Sequence, residues 1–558
     1  MKKRLIVGLF FILFVMCLGG CASVQLKNKD EATKLSKHGM EAYLQGRYQD
    51  ALSYFEKSLK ITRQLNNSAG ISINLNGIGL VYFSLHRYDE ALSYFEEALK
   101  IRKKLNNPLG IAMSLNNIGN IYASLNHYDK AFSYCKEALK ISRQLNSPKN
   151  IASSLNNIGN IYSSLGHYDK ALSYYEEALK IDKSQFTIGM YLVGIGHTYL
   201  LQKKYEEAEK LFIEGHKELE RARGLKLRNP LLVEVYLATG RYNEALKLLK
   251  DWTPGWNDDD HTLIRYYTQH GFALKGNGSF KEASSEFLKA ITLTEEMRQK
   301  VKGEKSGFLG AGGVVSRIRA YRGLFSTLAE RAISRQEDNP LNPPLLRGTS
   351  VDKEFAPYWK DIASASFYFA ESTKGRTLLE AMAESAKKSQ RVELPEEIRE
   401  KEQSILNQLS AIENQWDDAY KRGEDVLRRL KERKDGLNAE LNNLITELRQ
   451  KYSRYAALNY PKPVPPEELP LKEDEVLLEY AIGDDAAYLF VVSGSAGSSR
   501  GVKRLIKIPL SREEIEAKVK AFIEPMNTKQ IERFSVKEAK ELYEILLAEA
   551  MKEVTPSP

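Results

Sequence analysis

Between residues 31 and 300 apolar side chains recur at the spacing of helices that bury one face. In the stretch beginning at Ser154, Leu155, Ile158, Gly159 and Tyr162 fall at i, i+3, i+4 and i+7, and Ala171, Leu172, Tyr175, Ala178 and Leu179 repeat the rhythm after a polar turn. That periodicity predicts two amphipathic helices rather than strands. The same text, SLNNIGNIYSSLGHYDKALSYYEEALKI, stands forty residues earlier, from Ser114, as SLNNIGNIYASLNHYDKAFSYCKEALKI, and further copies surround Gly39 and Gly79. Less regular copies carry Gly196, Tyr205 and Ala208, then Gly240, Tyr242 and Ala245, then Gly271, Gly278, Phe280, Ala283 and Ala290. About seven helix pairs are therefore predicted over 31–300. Gly119 and Gly159 let paired helices approach closely, Ala131, Ala138, Ala171 and Ala178 serve the same end, and Tyr128 and Tyr168 fill the turn. Each pair leaves an apolar face that only its neighbour covers, so the expected architecture is a mainly α superhelix with a concave groove.

This pattern resembles the tetratricopeptide repeat (TPR), in the long-linker form found in kinesin light chains. The resemblance implies that a peptide or protein partner is held in the groove. Helical geometry places Asn116, Asn120, Asn156 and Asn160, with Asn76 in an earlier copy, opposite the packed face, and Asn117 and Asn157 at the edge of that row. A carboxamide both donates and accepts, which suits an extended peptide backbone. The alternative is that asparagines bridge adjacent helices, above all Asn117 and Asn157. His127 and His167 occupy the same turn position in successive copies. Stacked units stand about 10 Å apart, too far for one zinc ion that needs ligands at about 2 Å, so they read as exposed turn residues.

Beyond 300 the repeat fades into a helical region, 301–390. The glycines of GFLGAGGVVSR are misplaced for a dinucleotide loop, and GEKS lacks the rest of a phosphate loop. Residues 339–348, NPLNPPLLRG, hold too many prolines for helix or central strand and read as an inserted loop. Over 391–460 apolar residues at Ile398, Ile405, Leu409, Ile412, Trp416 and Ala419, then Leu437, Leu441, Leu444, Leu448 and Tyr452, predict two long helices. Gly423 between them favours an antiparallel hairpin over a dimeric coiled coil. After the stiff linker Pro461 to Pro470 the period changes to that of strands near 476–482, 486–492 and 502–508. Ser511 with Glu514 and Ser535 with Glu538 are capping boxes opening two helices.

The first residues, MKKRLIVGLFFILFVMCLGGCAS, are a basic start, an apolar run from Leu5 to Leu18 and small residues, the form of a secretory signal. The run is shorter than a spanning helix needs. Leu18-Gly19-Gly20-Cys21 resembles the lipobox of bacterial lipoproteins, which implies removal of residues 1–20 and acylation of Cys21. Cys17 is a poorer candidate because neither Val15 nor Met16 is small. Ala22 is not the Asp that retains such proteins on the inner membrane. The expectation is a cell-envelope protein, lipid-anchored to the outer membrane and facing the periplasm.

Composition narrows the function. The 558 residues carry 82 Lys+Arg against 73 Asp+Glu, a formal charge of +9, of which Lys2, Lys3 and Arg4 lie in the leader. A nucleic-acid binder would show a stronger, clustered excess. Three cysteines, Cys17, Cys21 and Cys135, cannot build a disulfide framework or a four-thiolate zinc site. No metal, cofactor or catalytic residue is expected. Cys135 sits mid-helix in the slot that sister copies fill with Phe95 and Tyr175, a packing position rather than that of a nucleophile.

FYFAESTKGRTLLEAMAES, the helical hairpin, LKEDEVLLEYAIGDDAAYLFVV and KELYEILLAEA together resemble the entry into a CHAT domain, the caspase-like protease fold, over about 300 to 558. The resemblance implies an incomplete α/β segment at 471–558, because that family's catalytic His and Cys lie on later strands. Three such strands with two short helices are expected to leave a sheet face uncovered and an edge open. The sequence thus reads as a non-enzymatic, membrane-anchored interaction scaffold. The alternative is the regulatory part of a CHAT-family cysteine protease whose catalytic half is not in this chain.

Overall fold

The computed structural model describes residues 27–548 except 225, 253–259, 301–316, 338–360, 374–393, 423, 454, 457–465, 495–500 and 528–535, together with Met551. Cys21, the loop 339–348 and the first half of the 461–470 linker lie outside the described residues. Within that linker Pro466–Glu468 form a short 3-10 turn.

Contacts divide the chain into two units, 1–239 with 412–432, and 240–411 with 433–558. The first unit holds α1 (27–44), α2 (Tyr48–Gln64), α3 (Ser68–Ser84), α4 (Tyr88–Lys104), α5 (Pro108–Ser124), α6 (Tyr128–Gln144), α7 (Pro148–Ser164), α8 (Tyr168–Ile181), α9 (Gln185–Leu201), α10 (Tyr205–Arg223) and α11 (Pro230–Ala238). Helices α2 to α7 are each seventeen residues long. Three residues join each to the next, and the middle one, Asn66, His86, Asn106, Asn126, Asn146 or Gly166, takes a positive φ of 47° to 77°. In the first of these links Asn66 N–H donates to the Arg63 carbonyl at 3.0 Å and Asn67 N–H to the Thr62 carbonyl at 2.9 Å, the paired bonds that close a helix on a left-handed residue. The same closure serves the turn inside a pair and the turn between pairs.

What holds a pair together is a large side chain seated on a glycine. Phe95 of α4 covers Gly79 of α3, Cys135 of α6 covers Gly119 of α5, and Tyr175 of α8 covers Gly159 of α7. A Cβ on Gly119 would stand 2.5 Å from Cys135 Sγ, so only glycine permits this approach. Beside each seat a tyrosine of the first helix stacks on one of the second at 5.5 Å: Tyr82 on Tyr94, Tyr122 on Tyr134, Tyr162 on Tyr174. Successive first helices also touch, α3 with α5, α5 with α7 and α7 with α9, and no pair of second helices shares a comparable contact. The odd-numbered helices therefore line the inner, concave side of this unit, and the even-numbered ones its outer side.

The second unit begins with α12 (Tyr242–Lys250), α13 (Asp260–Gly276), α14 (Phe280–Lys300), α15 (Ile318–Glu337) and α16 (362–373). Phe287 of α14 lies against Gly271 of α13, the seat of the last recognisable copy, and also against Gly323 of α15, beyond it. Helices α17 (Glu396–Arg422) and α18 (Glu424–Lys451) are the expected hairpin. Its antiparallel run is marked by Arg433 Nη2 donating to Gln408 Oε1 at 3.3 Å and the Tyr455 hydroxyl to Glu402 Oε2 at 2.7 Å. The side chains of Trp416 and Ala419 lie outside the described set.

Strands β1 (Val476–Ile482), β2 (Ala487–Ser493) and β3 (Gly501–Ile508) form an antiparallel sheet in the order β1-β2-β3. The register sets Leu489 opposite Tyr480 on one side and Ile506 on the other, with a bulge between Val491 and Val492. Both faces are covered, which corrects the expectation that this segment is too small to cover them. All seven residues of β2 are buried. Phe490 meets Phe367 of α16, and Tyr488 meets Phe325 of α15, edge to face at 5.5 and 6.0 Å. On the far face Leu489 and Val491 pack with Ile508, with Ile515 of α19 (Arg512–Asn527) and with Ile545 and Leu546 of α20 (Val536–Leu546). The missing cover is supplied by helices that precede the linker. The β1–β2 turn is fixed to them by charge: Lys275 Nζ reaches Asp485 Oδ2 at 2.9 Å, and Arg319 and Arg322 each stand 3.5 Å from Asp484. Among the described residues no strand pairs with the outer edge of β1 or of β3.

The seating rule is open to a direct check. Gly119→Ala should lower stability by about 1–3 kcal/mol through overpacking, despite alanine's better helix propensity. Adding Cys135→Ala should recover part of that loss in urea unfolding. A Gly119→Ala protein as stable as the wild type would show that the pair yields at this seat.

Candidate functional site

Of the inner helices, α3, α5, α7 and α9 are almost without charge, whereas α1 carries several Lys, Asp and Glu residues and α11 carries Glu234. The sequences of those four contain one Lys, Lys149, and no Arg, Asp or Glu. Burial pushes the His197 imidazole of α9 below its ordinary value, so it is neutral too. Charge is gathered on the outer helices, where Arg63 pairs with Glu97 at 3.4 Å and Arg143 with Glu177 at 3.0 Å from one outer helix to the next. From α3 to α9 the concave side therefore offers mainly apolar and uncharged polar groups.

The asparagine row falls into two sets. Asn76, Asn116 and Asn156 are buried, at 6%, 4% and 5% exposure, and point into the seam between neighbouring inner helices. This corrects their placement opposite the packed face. Asn117 Nδ2 of α5 donates to Asn76 Oδ1 of α3 at 3.1 Å, and Asn116 Nδ2 to Ser154 Oγ of α7 at 2.8 Å. Asn157 is buried and receives Asn156 Nδ2 at 3.5 Å. The Asn117–Asn76 and Asn116–Ser154 bonds are bridges between inner helices, the alternative weighed for Asn117 and Asn157; it holds for Asn117 and extends to Asn76 and Asn116, whereas the Asn156–Asn157 bond stays within α7. Asn116 Oδ1 and Asn156 Oδ1 are buried without a hydrogen-bond partner.

The groove side keeps Asn120 and Asn160. Asn160 is exposed and its Oδ1 accepts from the Tyr175 hydroxyl at 2.7 Å, leaving Nδ2 facing outward, while the half-buried Asn120 side chain makes no hydrogen bond. The residues that the sequence reading missed stand at the sixth position of each inner helix, seven before these asparagines: Ile73, Met113, Ser153 and Met190. Ile73, Met113 and Met190 are 56%, 40% and 41% exposed. Their signal was available, since an apolar residue recurs three before the buried asparagine of α3 and α5. It was obscured because an apolar residue at helical spacing reads as core.

Cys135 is fully buried, and burial pushes its thiol up to about 12, so no thiolate is available there. His127 and His167 are exposed at turns, each edge-on to a tyrosine. Among the described residues no cluster of His, Cys, Asp and Glu could hold a metal ion, and no helix is long and apolar enough to cross a membrane.

Residues 30–104 and 110–184 match the tetratricopeptide repeat family model. The repeats are tetratricopeptide repeats. Solved structures similar to this chain include BtubC from P. vanneervenii (21% identity, 36% of this chain and 90% of that one, TM-score 0.28). A tetratricopeptide repeat protein from Parabacteroides merdae aligns over 47% of this chain and 93% of its own at 16% identity and TM-score 0.30. A Rap protein complexed with Competence and Sporulation Factor aligns over 56% and 99% at 13% identity and TM-score 0.36. No curated protein matches the chain.

The division of the TPR asparagines predicts unequal costs. Asn76→Ala removes an acceptor used by two donors, the half-buried Asn117 Nδ2 and the buried Arg102 Nη1, and should cost about 1–3 kcal/mol. Asn120→Ala should change stability by less than about 0.5 kcal/mol. Equal urea midpoints for the two variants would refute the division.

Proposed function

We propose that the chain is a membrane-anchored interaction scaffold whose TPR groove holds an extended segment of a protein partner. The observation that carries this reading is the nearly uncharged face of α3, α5, α7 and α9, with Ile73, Met113 and Met190 exposed on the same helices as the carboxamides of Asn120 and Asn160. Apolar pockets with a few oriented polar groups are what an extended peptide needs, because burial supplies affinity and carboxamides fix the backbone. The proposed role of this surface is binding. Met113→Glu combined with Asn120→Ala should abolish capture of the partner while leaving the melting temperature close to that of the wild type. Undiminished capture by that folded variant would remove the groove from consideration.

The unpaired outer edges of the C-terminal sheet favour a second reading, in which further strands complete a CHAT-type protease whose repeats regulate it. Under that reading the sheet, not the groove, engages the completing chain, and the capture surviving in the Met113→Glu, Asn120→Ala protein separates the two.

The anchor proposal rests on Leu18 to Cys21. Expressed in a bacterium, the wild type should partition into detergent and take up labelled fatty acid, whereas Cys21→Ser should accumulate as an uncut precursor. A wild-type protein that carries no acyl chain would sink it.

A further inference from the structure

The turns of the TPR array fall on two rims that differ in charge. Each helix runs opposite to the next, so the turns that end the outer helices α2, α4, α6 and α8 share one rim with the N-termini of the inner helices α3, α5, α7 and α9. The turns inside the pairs share the other. Windows of fourteen residues spanning the first set, 58–71, 98–111, 138–151 and 178–191, hold two, four, three and two Lys or Arg and one acid, Asp182. The equivalent windows on the other rim, 38–51, 78–91, 118–131 and 158–171, hold one Lys or Arg each against six acids in all. On that second rim Arg47 pairs with Asp50 at 2.8 Å and Arg87 with Glu90 at 2.7 Å, and Lys130 and Lys170 lie over the rings of Tyr122 and Tyr162. On the first rim Lys103, Lys104 and Lys149 are exposed and make no ion pair.

Cations in the last turn of a helix complement its dipole, which accounts for part of the excess. It does not account for the rest. The same rim holds the positive ends of the inner helices, where acids would be favoured, and none of α3, α5, α7 and α9 has an acid in its first turn. Lys149 stands in the first turn of α7, against the dipole. Among the cations are Leu105, Leu109 and Leu145, 44%, 42% and 40% exposed. Leu125 and Leu165 are exposed on the other rim too, so the leucines add apolar contact and the charge distinguishes the rims. The cationic rim is also where α1 begins. Ser36 Oγ donates to Asn74 Oδ1 at 2.8 Å and Ser84 Oγ to the Tyr43 hydroxyl at 3.3 Å, so α1 runs parallel to α3 and its first residue, Lys27, lies on that rim. The opening turn of α1 is balanced, with Lys27 and Lys29 beside Asp30 and Glu31. Cys21 stands six residues before Lys27, a reach of about 20 Å when fully extended.

We infer that the cationic rim of the TPR array docks on an anionic phospholipid surface, with its lysines at the headgroup phosphates and its leucines in the interface. The inference rests on the anchor reading above and deepens it. An acyl chain at Cys21 tethers the array, whereas the rim fixes which edge of it faces the leaflet. Docked in this way the helices run away from the lipid, and the inner face stays in water beside it.

The test uses the full chain, expressed in a bacterium and reconstituted on vesicles of phosphatidylcholine with or without phosphatidylglycerol. An environment-sensitive dye is introduced through Leu105→Cys on the cationic rim or Leu125→Cys on the other, with the unsubstituted protein as blank; Cys135 is buried. On vesicles containing phosphatidylglycerol the dye at 105 should shift to the blue and be quenched by nitroxide-bearing lipid, while the dye at 125 stays in water. Each lysine at an anionic leaflet is worth about fivefold. Lys103→Glu, Lys104→Glu and Lys149→Glu together should therefore lower the docked-to-undocked ratio about a hundredfold, with the melting temperature and flotation kept. Raised salt should release the same contact in the array without those substitutions. A dye at 105 that stays in water on both vesicles, or equal shielding at 105 and 125, overturns the inference. Acylated protein that floats with both vesicles while the dye at 105 stays in water keeps the anchor and discards the rim. Protein without an acyl chain that floats only with phosphatidylglycerol, and is released by salt, keeps the rim and discards the anchor. Flotation with neither discards both. A dye at 105 that responds to duplex DNA and to neither vesicle reassigns the rim to a soluble polyanion and overturns the inference.

Discussion

The array depends on the seat that each inner glycine offers to a bulky residue of the outer helix. Phe95, Cys135 and Tyr175 differ in size and polarity, but each is excluded from water by the same contact, and each fixes the distance between its two helices. Once that distance is set, the tyrosine stacks and the alanine contacts form around it, and the apolar side of the pair is presented to its neighbour. The rule reaches past the recognisable repeats, since Phe287 of the last copy, seated on Gly271, also takes Gly323 of the helix that follows.

A sequence reveals such an arrangement because the constraint is local. Gly119 and Cys135 stand sixteen positions apart in one helical hairpin, and the same pair returns forty residues later as Gly159 and Tyr175. Features that depend on the angle of a side chain about the helix axis were less legible. Residues separated by one position differ by about 100° around the axis, so Asn116 and Asn117 were easily assigned to the wrong sides of the same seam. Features that depend on distant segments were not legible at all. The sheet's second cover comes from Phe325 and Phe367, more than a hundred residues before the strands they protect, and no local pattern connects them.

The separation of charge between the two helix rows has a physical consequence for recognition. From α3 to α9 the inner face holds almost no charge, so a charged group brought against it meets little competition from neighbouring ions. The outer rows, with cross-pair bridges such as Arg143 to Glu177, present an alternating surface to solvent and leave the inner one to discriminate.

The links between helices carry a further implication. Because every join from α2 to α7 is three residues long and closes in the same way, the backbone alone does not distinguish an inner helix from an outer one. Loss or duplication of forty residues would rejoin like to like and leave a working array with a longer or shorter groove. A change of twenty would preserve every turn yet exchange the rows, turning the charged helices inward. The length of this protein can therefore drift by whole pairs, while half-pair changes are eliminated by composition and not by geometry.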